Sequence, residues 1–136
     1  MADEIEDKKK ILVIEEIEDD ASLRDALRDK LIHEGFSVLA EKNGEEGLAT
    51  ALREHPNLIL LDILMPGMDG ITMMKKLRQA DEWGKNVPVI LLTNLSPDDE
   101  KINKVITDLT PTYYLVKSDW SINNLVEKIR ESLSQQ

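Results

Sequence analysis

Residues 57–70 read NLILLDILMPGMDG, and the change of character inside this stretch decides the fold. Residues 58–61 are four consecutive large aliphatics, the pattern of a strand buried on both faces, as parallel strands covered by helices are. The run stops at one carboxylate, Asp62, and a Pro/Gly-rich turn follows. In an open α/β sheet, ligands bind outside the carboxyl ends of the strands, so an acid at this tip occupies the place where chemistry is done. A plainer role is also open to it, because Asp after a strand commonly caps a turn.

Working outward, apolar runs recur at 11–14, 36–40, 58–61, 87–92 and 113–116, and each is followed by a helical pattern. Leu23, Ala26, Leu27, Leu31 and Ile32 repeat at three- and four-residue spacings over 21–34, which predicts an amphipathic helix that Gly35 ends. Leu48, Ala51 and Leu52 do the same over 44–53, and Ile71, Met74 and Leu77 over 70–79. A fourth helix is predicted over 97–109, with Ile102, Val105 and Ile106 inward. The last runs through Ile122, Leu125, Val126 and Ile129, with Ser118 or Asp119 as its cap. Strands alternating with helices of this length imply a parallel sheet with right-handed crossovers and helices on both faces, a three-layer α/β sandwich.

Asp62, Met65, Pro66, Met68, Asp69 and Gly70 stand in an order that resembles the phosphoacceptor segment of receiver domains, the input modules of two-component response regulators. The resemblance implies the flavodoxin-like (βα)5 fold with strand order 2-1-3-4-5, whose switch point brings the ends of strands 1 and 3 together. It covers residues 8–133, leaving an acidic leader at 1–7 and a tail at 134–136, and is of the stand-alone, single-domain type. It further implies that Asp62 accepts a phosphoryl group from a sensor histidine kinase or phosphotransfer protein. Thr93 would donate its hydroxyl to a phosphoryl oxygen, Lys117 would pair with Asp62 and then with the phosphoryl group, and Tyr114 would be the aromatic switch, a role for which Tyr113 competes. An effector would read the surface of the fourth helix, fifth strand and last helix, and phosphorylation-dependent pairing of two copies is left open.

A carboxylate attacks phosphorus only when the phosphoryl charge is neutralised, so such sites need a hard cation and a fixed ammonium. The resemblance supplies Mg2+, which keeps several waters and needs one or two carboxylates. Its ligands would be Asp62, the backbone carbonyl of Leu64 and acids of the segment EEIEDD at 15–20. That segment is about three residues longer than the family's acid pair. Counted from the strand, Glu15 and Glu16 hold the pair's positions; counted back from Leu23 and Arg24, Glu18 and Asp19 do. A loop insertion with Glu16 near the metal and Asp19 or Asp20 folding back reconciles the two, whereas carboxylates inside a central strand would be costly. The same acids could instead decorate a helix N-terminus.

Three further departures from the family pattern bear on the site: Asn94 stands where a small residue is usual, Ser118 replaces the proline after the lysine, and Thr110-Pro111 replaces a Gly-Ala turn. A cis bond before serine would cost about 2.5 to 4 kcal/mol, so a trans bond is expected. Leu64 and Leu95, two residues beyond Asp62 and Thr93, cannot orient an attacking water, which predicts a long-lived phosphorylated form.

The 136 residues suit one domain with a core of its own. With no cysteine, disulfides and thiolate chemistry are excluded. The start MADEIEDKKK is charged, and no apolar run approaches the roughly 18 residues a membrane span requires. A cytoplasmic protein is expected. Acidic residues outnumber basic ones by 27 to 17, and the net charge of −10 disfavours nucleic acid. His33 and His55 read as surface residues, and Trp83 and Trp120 as cover for core. The expected function is a self-phosphorylating and autodephosphorylating regulatory switch rather than a metabolic enzyme. A degenerate receiver that docks partners without phosphorylation is the first alternative. A small flavodoxin-like cofactor carrier is weaker, because the acidic first loop would repel a flavin phosphate.

Overall fold

The computed structural model describes residues 8–14, 21–63, 67–93, 113–116 and 121–134, with side chains left undescribed at 21–24, 93 and 113–116. Five parallel strands form one sheet in the order β2-β1-β3-β4-β5. They are β1 (Lys10–Ile14), β2 (Ser37–Glu41), β3 (Leu58–Asp62), β4 (Val89–Thr93) and β5 (Tyr113–Val116). The described helices are α1 (Ala21–His33), α2 (Gly44–Glu54), α3 (Gly70–Ala80), α4 (Glu82–Asn86) and α5 (Ile122–Ser134). The expected order of strands is therefore observed; the helix expected over 97–109 lies outside the described residues.

Successive side chains of a strand point to opposite faces, and the core divides accordingly. Leu12, Ile14, Ile59, Leu61, Val89 and Leu91 pack with Ala51 of α2 and Met73, Met74 and Leu77 of α3. Ile11, Val13, Leu58, Leu60, Ile90 and Leu92 face the other way, onto Leu27 and Leu31 of α1 and Leu125, Val126 and Ile129 of α5. All five residues of β3 are buried, which is why its aliphatic run is unbroken rather than alternating. Among the described residues no helix is long and apolar enough to cross a membrane.

Local chemistry sets the helix ends. Gly35 has φ +97; its N–H donates to the Ile32 carbonyl (3.0 Å) and that of Phe36 to Leu31 (3.0 Å), the paired bonds of a Schellman stop. Asn43 accepts from the Glu46 N–H at 2.8 Å, and Asp81 caps α4 through the Gly84 N–H at 2.6 Å. The last described helix is capped by Ser121, whose Oγ accepts from the Asn124 N–H at 3.2 Å; Ser118 and Asp119, expected from the sequence as its cap, lie outside the described residues. On α1, Leu27 and Leu31 are buried as expected, but Ala26 and Ile32 are exposed: the side that meets the sheet and α5 is narrower than the apolar spacing implies, and Leu23 lies outside the described side chains.

Candidate functional site

Asp62 is the last residue of β3 and stays 4% exposed. Its neighbours are laid out by the sheet register. Asp62 lies opposite Leu92, and the Ile63 N–H donates to the Leu92 carbonyl at 3.1 Å, so Thr93 is the next residue along the adjoining strand. Thr93 in turn lies opposite Val116, with Tyr114 opposite Leu91. On the other side Ile14, the end of β1, lies opposite Leu61. The carboxyl ends of β1, β3, β4 and β5 thus meet along one rim, and Asp62 is at its centre.

The described residues on either side of the segment beyond Asp62 are tied together. The Gly70 N–H donates to the Ile63 carbonyl at 2.9 Å, and Asp69 caps α3 by accepting from the Thr72 N–H at 2.7 Å. Gly70 sits so close to the Asp62 carbonyl oxygen that a Cβ would overlap it, and that Cβ would also lie 2.8 Å from the Ile63 Cα. In the sequence Asp69 and Gly70 belong to the motif and Gly70 opens the helix predicted over 70–79; their mechanical roles, a cap and a close approach, emerge from the packing. On β2, Glu41 accepts a hydrogen bond from the buried Thr50 hydroxyl of α2, a polar contact the sequence analysis did not single out.

The structure thus brings Asp62 and the backbone of Thr93 to one rim and puts the backbone of Tyr114 two residues before the end of β5. Glu16, Asp19, Leu64 and Lys117 lie outside the described residues, as do Glu15, Glu18, Asp20, Asn94, Leu95 and Ser118. Of the residues expected to hold the metal, Asp62 is the one described, and a carboxylate oxygen is a hard donor of the kind Mg2+ takes. Among the described residues no group of three or more His, Cys, Asp or Glu gathers around a common point, so the rest of a Mg2+ shell would come from the residues not described.

The family model for the response regulator receiver domain matches residues 11–130 of this chain. The chain belongs to the response regulator receiver family. Among curated relatives of this receiver, a probable transcriptional regulator ycf27 of Porphyridium aerugineum is 39% identical over 126 residues, covering 93% of the chain and 48% of the relative. Response regulator PleD of Caulobacter vibrioides is 40% identical over 93 residues, 68% of the chain and 20% of PleD. The receiver thus spans about half the length, or less, of these relatives. Among solved structures, the chemotaxis protein CheY4 of Vibrio cholerae superposes with a TM-score of 0.79 at 25% identity, covering 93% of this chain and 99% of that one. A CheY-like receiver domain protein from Methanospirillum hungatei gives 0.80 at 26% identity, covering 94% and 95%.

Elsewhere, His55 and His33 are exposed, as expected. His55 is not an isolated surface residue, however: its ring lies 4.3 Å from that of Trp83 and 9° from parallel to it. Trp83 is partly buried against the α2–α3 side of the core, as expected of a covering residue, and Trp120 lies outside the described residues.

Proposed function

We propose that this receiver is a phosphoryl-accepting switch in which Asp62 takes the phosphoryl group from the phosphohistidine of a sensor kinase or phosphotransfer protein. One Oδ of Asp62 attacks phosphorus, the P–N bond to the imidazole breaks with its electrons returning to nitrogen, and an acyl phosphate results. The observation that carries this reading is the placement of Asp62: a carboxylate 4% exposed, ending a central strand one register step from Thr93. Its backbone carbonyl lies against Gly70 of α3, and a fixed backbone at the attacking residue is what positioning for in-line transfer requires.

In this reading Thr93 donates to a phosphoryl oxygen and Lys117 supplies the ammonium that balances it. Glu16, Asp19, Asp62 and the Leu64 carbonyl would hold Mg2+, which would supply neutralisation of the charge on the transferring oxygens. Tyr114 follows Thr93 as the switch residue, and an effector reads the surface formed by the 97–109 segment, β5 and α5. The receiver unit spans residues 8–133 and acts in the cytoplasm. Leu64 and Leu95 leave no side chain to orient water, so the acyl phosphate decays slowly.

The test is incubation with acetyl phosphate in the presence of Mg2+ or of EDTA, followed by electrophoresis in a phosphate-retarding gel. A retarded band that requires Mg2+ and disappears on treatment with hydroxylamine supports an acyl phosphate. A folded protein that gives no such band would favour docking without phosphorylation.

A further inference from the structure

At the opposite end of the sheet from Asp62, where β3 and β4 begin, a cleft of about 530 Å3 opens between the end of α2 and α4, within the roughly 300–1,000 Å3 range of ligand pockets. Its walls include Pro56, Pro88 and the stacked rings of His55 and Trp83, with Glu82 and Asn86 on its polar side. His55 closes α2 in the left-handed region, at φ 46 and ψ 61, and is the one non-glycine residue with positive φ among those described. That backbone conformation is the helix C-cap, the His55 N–H donating to the Ala51 carbonyl at 2.9 Å, and it leaves the imidazole stacked on the Trp83 ring.

The charge of the cleft selects its ligand. Glu82 is exposed, and among the described residues its carboxylate touches only the Asn86 amide, whose Nδ2 donates at 3.4 Å. Asp81, the next residue, places Oδ2 4.0 Å from His55 Nε2. Among the described residues no lysine or arginine lines the cleft. Arg78 turns its Nη1 to the backbone, donating to the Gly84 carbonyl at 2.8 Å and to Val87 at 2.7 Å, and Lys10 leans toward Glu54 at 3.8 Å. With Glu82 as the one carboxylate and no basic side chain of Lys or Arg among the described lining residues, the cleft favours a cation over an anion. A planar cation can stack on the aromatic wall while donating to Glu82, and guanidinium does both, whereas an ammonium lacks the plane. One arginine side chain does not fill the space, and the remaining wall of Pro56, Val87 and Pro88 suits an aliphatic neighbour on the same peptide.

We infer that this cleft docks an arginine-bearing segment of a partner protein, the guanidinium lying on the His55–Trp83 pair and paired with Glu82. The site is separated from Asp62 by the length of β3, about 13 Å at the usual rise per residue, so docking leaves the phosphoryl site open. The inference stands whether or not Asp62 is phosphorylated.

The experiment uses the full chain carrying Trp120→Phe, so that Trp83 is the sole tryptophan fluorophore. The probe is a capped pentapeptide, Ala-Leu-Arg-Leu-Ala, alongside the same peptide with neutral citrulline for arginine and N-acetyl-arginine amide alone. We expect saturable quenching or enhancement by the arginine peptide, with affinity about tenfold weaker for citrulline and about tenfold weaker in Glu82→Gln, as loss of one charge-assisted pair implies. Asp62→Asn should bind like the parent. Absence of saturation, equal affinity for the citrulline peptide, indifference to Glu82→Gln or loss of binding in Asp62→Asn would each overturn the proposal. Equal affinity for N-acetyl-arginine amide would replace the protein segment with a small guanidino ligand.

Discussion

Gly70 abuts the main-chain carbonyl of Asp62, leaving no room for a Cβ. The helix that follows the candidate phosphoacceptor is therefore seated directly on the backbone of that residue, and its position and that of the carboxylate cannot vary independently. The three atoms nearest that Cβ position all belong to the backbone of Asp62 and Ile63, so a side-chain rotation cannot relieve the overlap. Gly70→Ala should lower stability by about 1 to 3 kcal/mol, the usual cost of overpacking, as read from urea denaturation. Because relief requires moving Asp62 or α3, the labelling rate with acetyl phosphate should fall about tenfold or more.

Asp69 contributes separately, through its cap on the Thr72 N–H. Asp69→Ala should cost about 1 kcal/mol, and Asp69→Asn, which keeps the acceptor oxygen, should recover most of it. A destabilisation equal in both variants would contradict the cap as the cause.

On the face of the sheet that α1 and α5 share, Arg130 of α5 is tied to the end of α1: its Nη2 lies 2.9 Å from Glu34 Oε2, with the guanidinium 5.2 Å from the centre of the Phe36 ring. Hydrogen bonds from Lys30 and then Arg130 hold the Glu34 carboxyl below its ordinary value. A depressed carboxyl contributes stability above its unfolded value and loses it as pH falls through the folded one. Stability measured between neutral pH and acid should therefore decline less in Glu34→Gln than in the parent. Identical acid slopes would show that solvent screens the contact completely.

Much of the sheet was legible because a buried parallel strand writes itself as a run of aliphatics. Residues 58–61 are the clearest case. Boundaries shifted where other chemistry claimed the residues: the run 87–92 becomes β4 at Val89–Thr93, since Val87 ends α4 by donating to the Trp83 carbonyl at 2.9 Å. Helix α4 itself, Glu82–Asn86, is too short to show a 3.6-residue period and went unread. Asp62 was legible because a charge at the end of an apolar run has few explanations. The close approach of Gly70 was not, since a missing Cβ leaves no periodic trace, and neither was the His55–Trp83 stack, which joins residues of different elements.

The central claim is tested most directly by weighing the intact protein after incubation with acetyl phosphate and Mg2+, beside Asp62→Asn treated identically. The account predicts a gain of one phosphoryl group in the parent and none in the variant. A gain that persists in Asp62→Asn, or no gain in a parent protein shown to be folded, would contradict it.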